Sequence, residues 1–312
     1  VTNVLGFFLL LKLFKNSTEG ITMTFFKIIA SLFALFAFSV QASHAPLKIL
    51  IVNDDGCESP GSTSLQDKLT AKGYDVWMVA PATNQSGIGS AITFKTGKTF
   101  DVKKVAEKRY CFPGTPADSV DFGLRGLLKD AAPDLVISGV NDGPNTGMAQ
   151  VNSGTVSAAA RAVRYGVPAI AASIGYVFSE EEMKNHWPST HKYWPESVDY
   201  VVGVVDKLNA KRVADKPLLP AGSGLSINYP ALAAAEIKGV HYIENEPFPV
   251  PQIGYELQKD GTAKQTMNPE ALKPVLDDTD SGWLNKGYIT YTVFDGMWNA
   301  PQYETQYRQL LN

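Results

Sequence analysis

Residues 48–61, KILIVNDDGCESPG, constrain this chain more than any other stretch. Ile49 to Val52 form an apolar, β-branched run that is too short for an ordinary helix. It lacks the alternation of a half-exposed strand, so it reads as a strand buried on both faces inside a parallel sheet. The run empties into Asn53, Asp54, Asp55 and Gly56. Neighbouring strand residues point to opposite faces, so the two acids share a task only where the chain is already turning, and Gly56 supplies the turn. Adjacent carboxylates at a strand's end repel unless something positive lies between them. Carboxylate, amide and hydroxyl oxygens suit a hard divalent cation: Mg²⁺, Mn²⁺ or Ca²⁺. A solvated Asp-Gly turn explains the same letters, so the choice falls to the rest of the chain.

After the acidic loop, Leu65 and Leu69 lie four apart, with Ser62 or Thr63 as N-cap and Gly73 as the stop of a helix. Tyr74 to Ala80 reads as a second strand, closed by Pro81 and followed by a polar, Gly-rich loop, PATNQSGIG. Residues 90–112 are strand-like but irregular. Thr115, Pro116 and Asp118 give a helix start, with the helix running to about Leu128. Asp134 to Val140 forms another buried strand that ends in Asn141-Asp142-Gly143, and Asn152-Ser153-Gly154-Thr155 then opens an Ala-rich helix ending near Gly166. Strands at 169–174 and 225–229, the latter expected as the last core strand, flank a helix near 197–209. This rhythm predicts a doubly wound, mostly parallel α/β sheet. Residues 240–312 lose the rhythm, but GYITYTVF at 287–294 has strand character, so a β-rich C-terminal extension is expected. The expected organisation is thus 1–45, 46–239 and 240–312.

The N-terminus reads as targeting. Lys27, an apolar run from Ile28 to Val40 and small residues at Ala42 and Ala45 match a secretory signal peptide over 23–45. Residues 1–22 read as an upstream extension, because Lys12 and Lys15 interrupt an apolar stretch too short to span a bilayer. The expected mature protein is exported, periplasmic or secreted, with no stable membrane span. A net charge of -3 over 312 residues offers no basic field for a nucleic-acid polymer. Cys57 and Cys111 have no zinc-type spacing; they form one disulfide or stay as two buried thiols.

Parallel strands end on one edge of a sheet, and ligands bind outside those ends. Asp54, Asp55, Ser86 and Asn141 therefore project toward one place, all with oxygen donors. The helix opened by Ser153, Gly154 and Thr155 points free amides the same way, an anion site suited to phosphate. It lacks a Walker lysine, and the first strand-helix loop lacks the glycines of a dinucleotide fold. A metal beside an anion site points to hydrolysis of a phosphate ester, with Asp54 or Asp55 orienting water or taking its proton. Activated water is favoured over an aspartyl-phosphate, and no separate acid for the leaving group is evident. His186, Trp187, His191, Tyr193 and Trp194 interrupt the rhythm between 176 and 195, as pocket lining or as packing.

The chain resembles the SurE survival-protein family of metal-dependent nucleotidases and acid phosphatases. The matching motifs are ILIVNDDGCESPG at 49–61, VAPATNQSG at 79–87, GTPADSV at 114–120, SGVNDGPNTG at 138–147 and NSGTVSAAARA at 152–162. The resemblance implies a Rossmann-like core and one divalent ion, Mg²⁺ or Mn²⁺ before Ca²⁺, on Asp54, Asp55, Ser86 and Asn141. It places phosphate at Asn145 and Ser153-Gly154-Thr155. It also implies removal of phosphate from nucleoside monophosphates and a homodimer or homotetramer formed through C-terminal arms. Asn152 departs from the family, which usually has an aromatic residue there, and residues 176–195 match poorly. Two alternatives are a nucleoside hydrolase and an exported nucleotide-binding protein without catalysis.

Overall fold

The computed structural model describes residues 45–177, 179–247, 253–267, 276–297 and 301–311. Strand β1 (Lys48–Val52) is followed by α1 (Pro60–Ala71), β2 (Asp75–Pro81), the hairpin β3 (Lys103–Ala106) and β4 (Arg109–Phe112), and α2 (Pro116–Phe122). Next come β5 (Leu135–Asp142), the single turn α3 (Ala149–Asn152), α4 (Gly154–Arg164) and β6 (Ala169–Ile174). Two short helices, α5 (Glu180–Lys184) and α6 (Pro188–Lys192), lead into α7 (Trp194–Ala210). The remainder holds β7 (Gly224–Tyr229), β8 (Val240–Tyr242), β9 (Ile253–Leu257), β10 (Ala263–Met267), α8 (Asp280–Asn285) and β11 (Ile289–Phe294).

The main sheet has nine strands in the order β3-β4-β2-β1-β5-β6-β7-β11-β8. From β4 through β7 every neighbouring pair is parallel, whereas β3 and β11 run antiparallel to β4 and β7. Ile49 and Ile51 of β1 face a core shared with Leu65 and Leu69 of α1 and Val198 and Val205 of α7. Leu50 and Val52 face the opposite core, with Val120 of α2 and Val156 and Ala159 of α4. Burial on both faces explains why β1 carries no alternating pattern. The doubly wound α/β architecture is as expected, with the additional antiparallel C-terminal strands.

Several details differ from the sequence reading. Helix α1 starts earlier than Ser62 or Thr63 would place it: Ser59 is its N-cap and Pro60 its first residue, a position where a fixed φ and a missing N–H cost nothing. The Ser62 hydroxyl points inward and donates to Gly139 O at 2.9 Å. In the irregular stretch 90–112 only residues from Lys103 onward form strands. Strand β7 does not end the sheet, because β11, the GYITYTVF segment, pairs with it and β8 adds beyond. Strands β9 and β10 form a separate antiparallel pair. No helix among the described residues is long and apolar enough to cross a membrane. The cysteine alternative resolves to a Cys57–Cys111 disulfide, with Cα atoms 5.1 Å apart.

The start of α2 is the capping box that its sequence spells: Thr115 Oγ1 accepts from Asp118 N, and Asp118 accepts from Thr115 N. Asp118 also accepts from Thr93 N at 2.9 Å and Thr93 Oγ1 at 2.8 Å, pinning the otherwise irregular stretch to the helix. Burial alone raises the Asp118 carboxyl, but these hydrogen bonds outweigh it and hold the group below its ordinary value. A depressed acid stabilises the fold fully above its unfolded pKa of about 4 and loses that contribution as pH falls through the folded value. Asp118→Asn is therefore expected to cost about 1–3 kcal/mol at pH 7. Denaturant titrations should show the gap from wild type closing as the pH is taken below about 4.

Candidate active site

The carboxyl ends of β1, β2 and β5 open on one edge of the sheet, and the loops that leave them are held by their own side chains. Asn53 closes the first loop: Gly56 N donates to its Oδ1, and its Nδ2 donates to Gly56 O, each at 2.9 Å. The same Nδ2 reaches Ser62 Oγ at 2.6 Å. Gly56 has a φ of +116°, which only glycine adopts without strain. Next along the chain, Cys57 carries the disulfide to β4, and its N–H donates to Pro81 O at 2.8 Å. The acidic loop is thus tied covalently to β4 and by a hydrogen bond to the end of β2.

Asp54 and Asp55 diverge from this turn. Asp54 is 3% exposed and meets the start of α4, where Thr155 Oγ1 donates to its Oδ1. Gly154 makes that approach possible: a Cβ there would lie 2.7 Å from Asp54 Cβ and 2.9 Å from Asp54 Oδ2. Ser153 caps the helix, its Oγ accepting from Val156 N at 3.0 Å. Asp55 turns the other way and accepts from Asp142 N at 3.2 Å. Burial raises both carboxyls above their ordinary range. For Asp55 the neighbouring charges of Asp54 and Asp142 add to burial and push it to about 7.

The remaining donors lie on the flanking loops. Asn141, at the end of β5, is buried and gives its Nδ2 to Gly143 O at 2.7 Å, which leaves the amide oxygen as its available atom. Ser86 is exposed on the loop after β2, and that loop is drawn to the acids by Gln85 N donating to Asp54 O at 2.7 Å. Asn145 is buried; Asn228 Oδ1 accepts its N–H at 2.8 Å, and its Nδ2 donates to Ser173 Oγ at 2.9 Å. The structure therefore brings Asp54, Gly154 and Thr155 into direct contact and joins Asp55 to the β5 loop. Ser86 and Asn145 lie on adjoining loops.

This donor set fits a hard cation. Asp54 is buried and Asp55 half-buried, Asn141 offers a free amide oxygen on the neighbouring loop, and among the described residues no lysine or arginine pairs with either acid. Burying like charges together without a counter-charge is costly, and a divalent ion removes that cost. The described residues contain no cluster of three His, Cys, Asp or Glu side chains arranged for a metal. An ion held here would need neutral oxygens and water as well, as Mg²⁺ commonly does.

Several residues that shape the site escaped sequence reasoning. Asp142 bonds Asp55 through its backbone N–H, accepts from Tyr176 OH on its carbonyl at 3.2 Å, and lies 3.2 Å from His191 Nε2 through its carboxylate. Asp280, fully buried at the start of α8, accepts from Gly147 N and Glu246 N, each at 2.9 Å, and fixes the far end of the β5 loop. Only Asp142 carried a signal in the sequence, as part of the Asn-Asp-Gly that ends β5.

Residues 49–246 match the family model described as survival protein SurE. A 5'-nucleotidase SurE of Paramagnetospirillum magneticum is 36% identical over 203 residues, covering 65% of this chain and 71% of that protein. The 5'-nucleotidase SurE of Erythrobacter litoralis is 34% identical over 257 residues, covering 79% and 92%. The crystal structure of the SurE protein from Aquifex aeolicus superposes with a TM-score of 0.68 at 28% identity, covering 85% of this chain and all of that one. These relatives correct the expectation of export, because bacterial 5'-nucleotidases of this kind are cytoplasmic enzymes. The leader reading rested on hydropathy alone, a basic residue before an apolar run and small residues; residues 23–44 lie outside the described ones.

Gly154→Ala tests the closest approach in the site. The added methyl has nowhere to go between Asp54 and Pro116, so the helix start must shift by a fraction of an ångström. A shift of that order is expected to lower phosphate release by about 10²-fold, with a thermal melt showing a loss of only about 1–3 kcal/mol.

Proposed function

Because the chain belongs to the survival protein SurE family, whose members are hydrolases acting on phosphate esters, we propose that it hydrolyses nucleoside 5'-monophosphates to nucleoside and phosphate with the help of one divalent metal ion. The observation that carries this reading is the contact between the buried Asp54 carboxylate and the start of α4 through Gly154 and Thr155. It sets a cation-seeking pair of acids directly beside an anion-seeking helix terminus. The name 5'-nucleotidase, carried by both relatives described above, supports the 5' position and argues against the nucleoside-hydrolase and non-catalytic alternatives.

In this reading Asp54, Asp55, the Ser86 hydroxyl and the Asn141 amide oxygen hold the ion, Mg²⁺ or Mn²⁺ ahead of Ca²⁺. Bound there, the ion supplies Lewis acidity to the phosphoryl oxygens and makes water more acidic. The α4 amides, Thr155 and Asn145 receive the phosphate. Asp54 accepts the Thr155 hydroxyl and the backbone N–H groups at the start of α4, whereas Asp55 accepts the Asp142 N–H on Oδ2 and keeps its Oδ1 free of protein partners among the described residues. Asp55 therefore orients the attacking water and takes its proton, a route that needs no aspartyl-phosphate. Strands β8 and β11 of the segment 240–312 belong to the main sheet, and its β9–β10 pair serves as the assembly arm for a homodimer or homotetramer. The β9–β10 pair, with Ile253, Tyr255 and Leu257 exposed, supports that role.

Phosphate release from adenosine 5'-monophosphate should cease with EDTA and return with Mg²⁺ or Mn²⁺. Asp54→Asn is expected to lower turnover by at least about 10²-fold, and calorimetry should show weakened Mn²⁺ binding with an unchanged far-UV circular dichroism spectrum. Unchanged turnover in that variant overturns the assignment of the site.

A further inference from the structure

Breaking the ester bond of a nucleoside monophosphate leaves an alkoxide, a poor leaving group unless it is protonated as the bond breaks. Among the residues assigned to the ion or to the phosphate, the only titratable side chains are Asp54 and Asp55, which are given to the ion and the attacking water. We propose that His191 is the catalytic acid that supplies this proton, an inference that rests on the phosphomonoesterase reading above.

Two observations carry it. His191 Nε2 lies 3.2 Å from Asp142 Oδ2, and Asp142 N donates to Asp55 at 3.2 Å, so the imidazole stands two contacts from the acid pair. Its Nδ1 has no partner among the described residues and its side chain is 51% exposed, so this edge is open to a ligand. An imidazole with one nitrogen on a carboxylate and the other free is the arrangement that orients histidine for proton transfer.

The ring is also held in place. Thr190 Oγ1 donates to Gly175 O at 2.8 Å from a fully buried position. The ring of His191 lies over Trp194 with centroids 5.9 Å apart. Trp194 in turn packs on Gly61, where a Cβ would come within 2.3 Å of Trp194 Nε1. Helices α6 and α7 are thereby fixed against the start of α1, directly after the acidic loop. The other candidates lack this placement. His241 is stacked on Trp283 at 3.7 Å, on β8. The Tyr176 hydroxyl is committed to Asp142 O, and burial, with Asp142 and Asp55 adding to it, pushes its ionisation upward.

The step balances without a further reactant. Water oxygen forms the new P–O bond and releases a proton through Asp55. The P–O bond to the nucleoside breaks with its electron pair remaining on the nucleoside oxygen, and the His191 proton passes to that oxygen. His191 is then reprotonated from solvent.

The test uses leaving groups that differ in their need for a proton. Wild type, His191→Gln and His191→Ala are assayed with adenosine 5'-monophosphate and with p-nitrophenyl phosphate, whose phenolate departs unprotonated. Thermal melts of all three proteins verify folding. In both variants kcat/KM should fall by about 10²-fold for the nucleotide and by no more than about threefold for the aryl ester. Equal losses on both substrates make His191 a positioning residue that acts through Asp142, and overturn the proposal. No loss on either substrate also overturns it. Wild-type silence on both substrates with metal present refutes the phosphomonoesterase reading itself, a result distinct from either of these.

Discussion

Two carboxylates on consecutive residues at the end of a central strand, Asp54 buried and Asp55 half-buried, lose hydration and repel each other, and the surrounding structure is arranged around that cost. Asp54 is answered by the Thr155 hydroxyl and the start of α4, and Asp55 by the backbone of Asp142. Each acid therefore holds a different loop against the end of β1. The glycine at 154 exists because the helix must come within contact of Asp54. The Asn53 bonds hold the turn that aims the two side chains apart. Under the proposed function, a cation would supply the counter-charge that this arrangement lacks.

The fold was legible because its central strands are buried on both faces and their sequences show it: β1, β5 and β6 are apolar runs bounded by turn residues. The loops at their carboxyl ends were legible for the same reason, since parallel topology brings those ends together. What the sequence concealed was contact between distant segments. Ser62 looked like a cap and instead braces β5. Nothing in the letters of β11 says that it returns to pair with β7, because an antiparallel edge strand and a strand in a detached arm share one pattern. Asp280 lies 133 residues from the Gly147 amide it receives, and no local spacing reveals such a clamp.

The segment between β6 and α7 illustrates a different limit. Its histidines and tryptophans stood out as a break in rhythm, and the structure sorts them by what they touch. Trp187 stacks on Tyr176 with centroids 4.2 Å apart and serves as packing. His191 reaches the β5 loop, and His186 takes a left-handed backbone conformation at a turn. Residues of the same type, a few positions apart, thus have unrelated roles. Only the neighbours that the fold supplies distinguish them.

The disulfide has a consequence for how the protein withstands damage. The bridge joins Cys57 to Cys111, and the exposed stretch from Ala82 to Asp101, the Ser86 loop included, falls between them. Such a stretch is where a protease cuts first. A single cut there separates two polypeptides in sequence, yet β1 and its acidic loop remain covalently joined to β4 and everything that follows. The nicked protein holds together on a non-reducing gel and falls into two bands only when the bridge is reduced. Backbone continuity through that exposed stretch is therefore not what keeps the two halves of the site in one molecule.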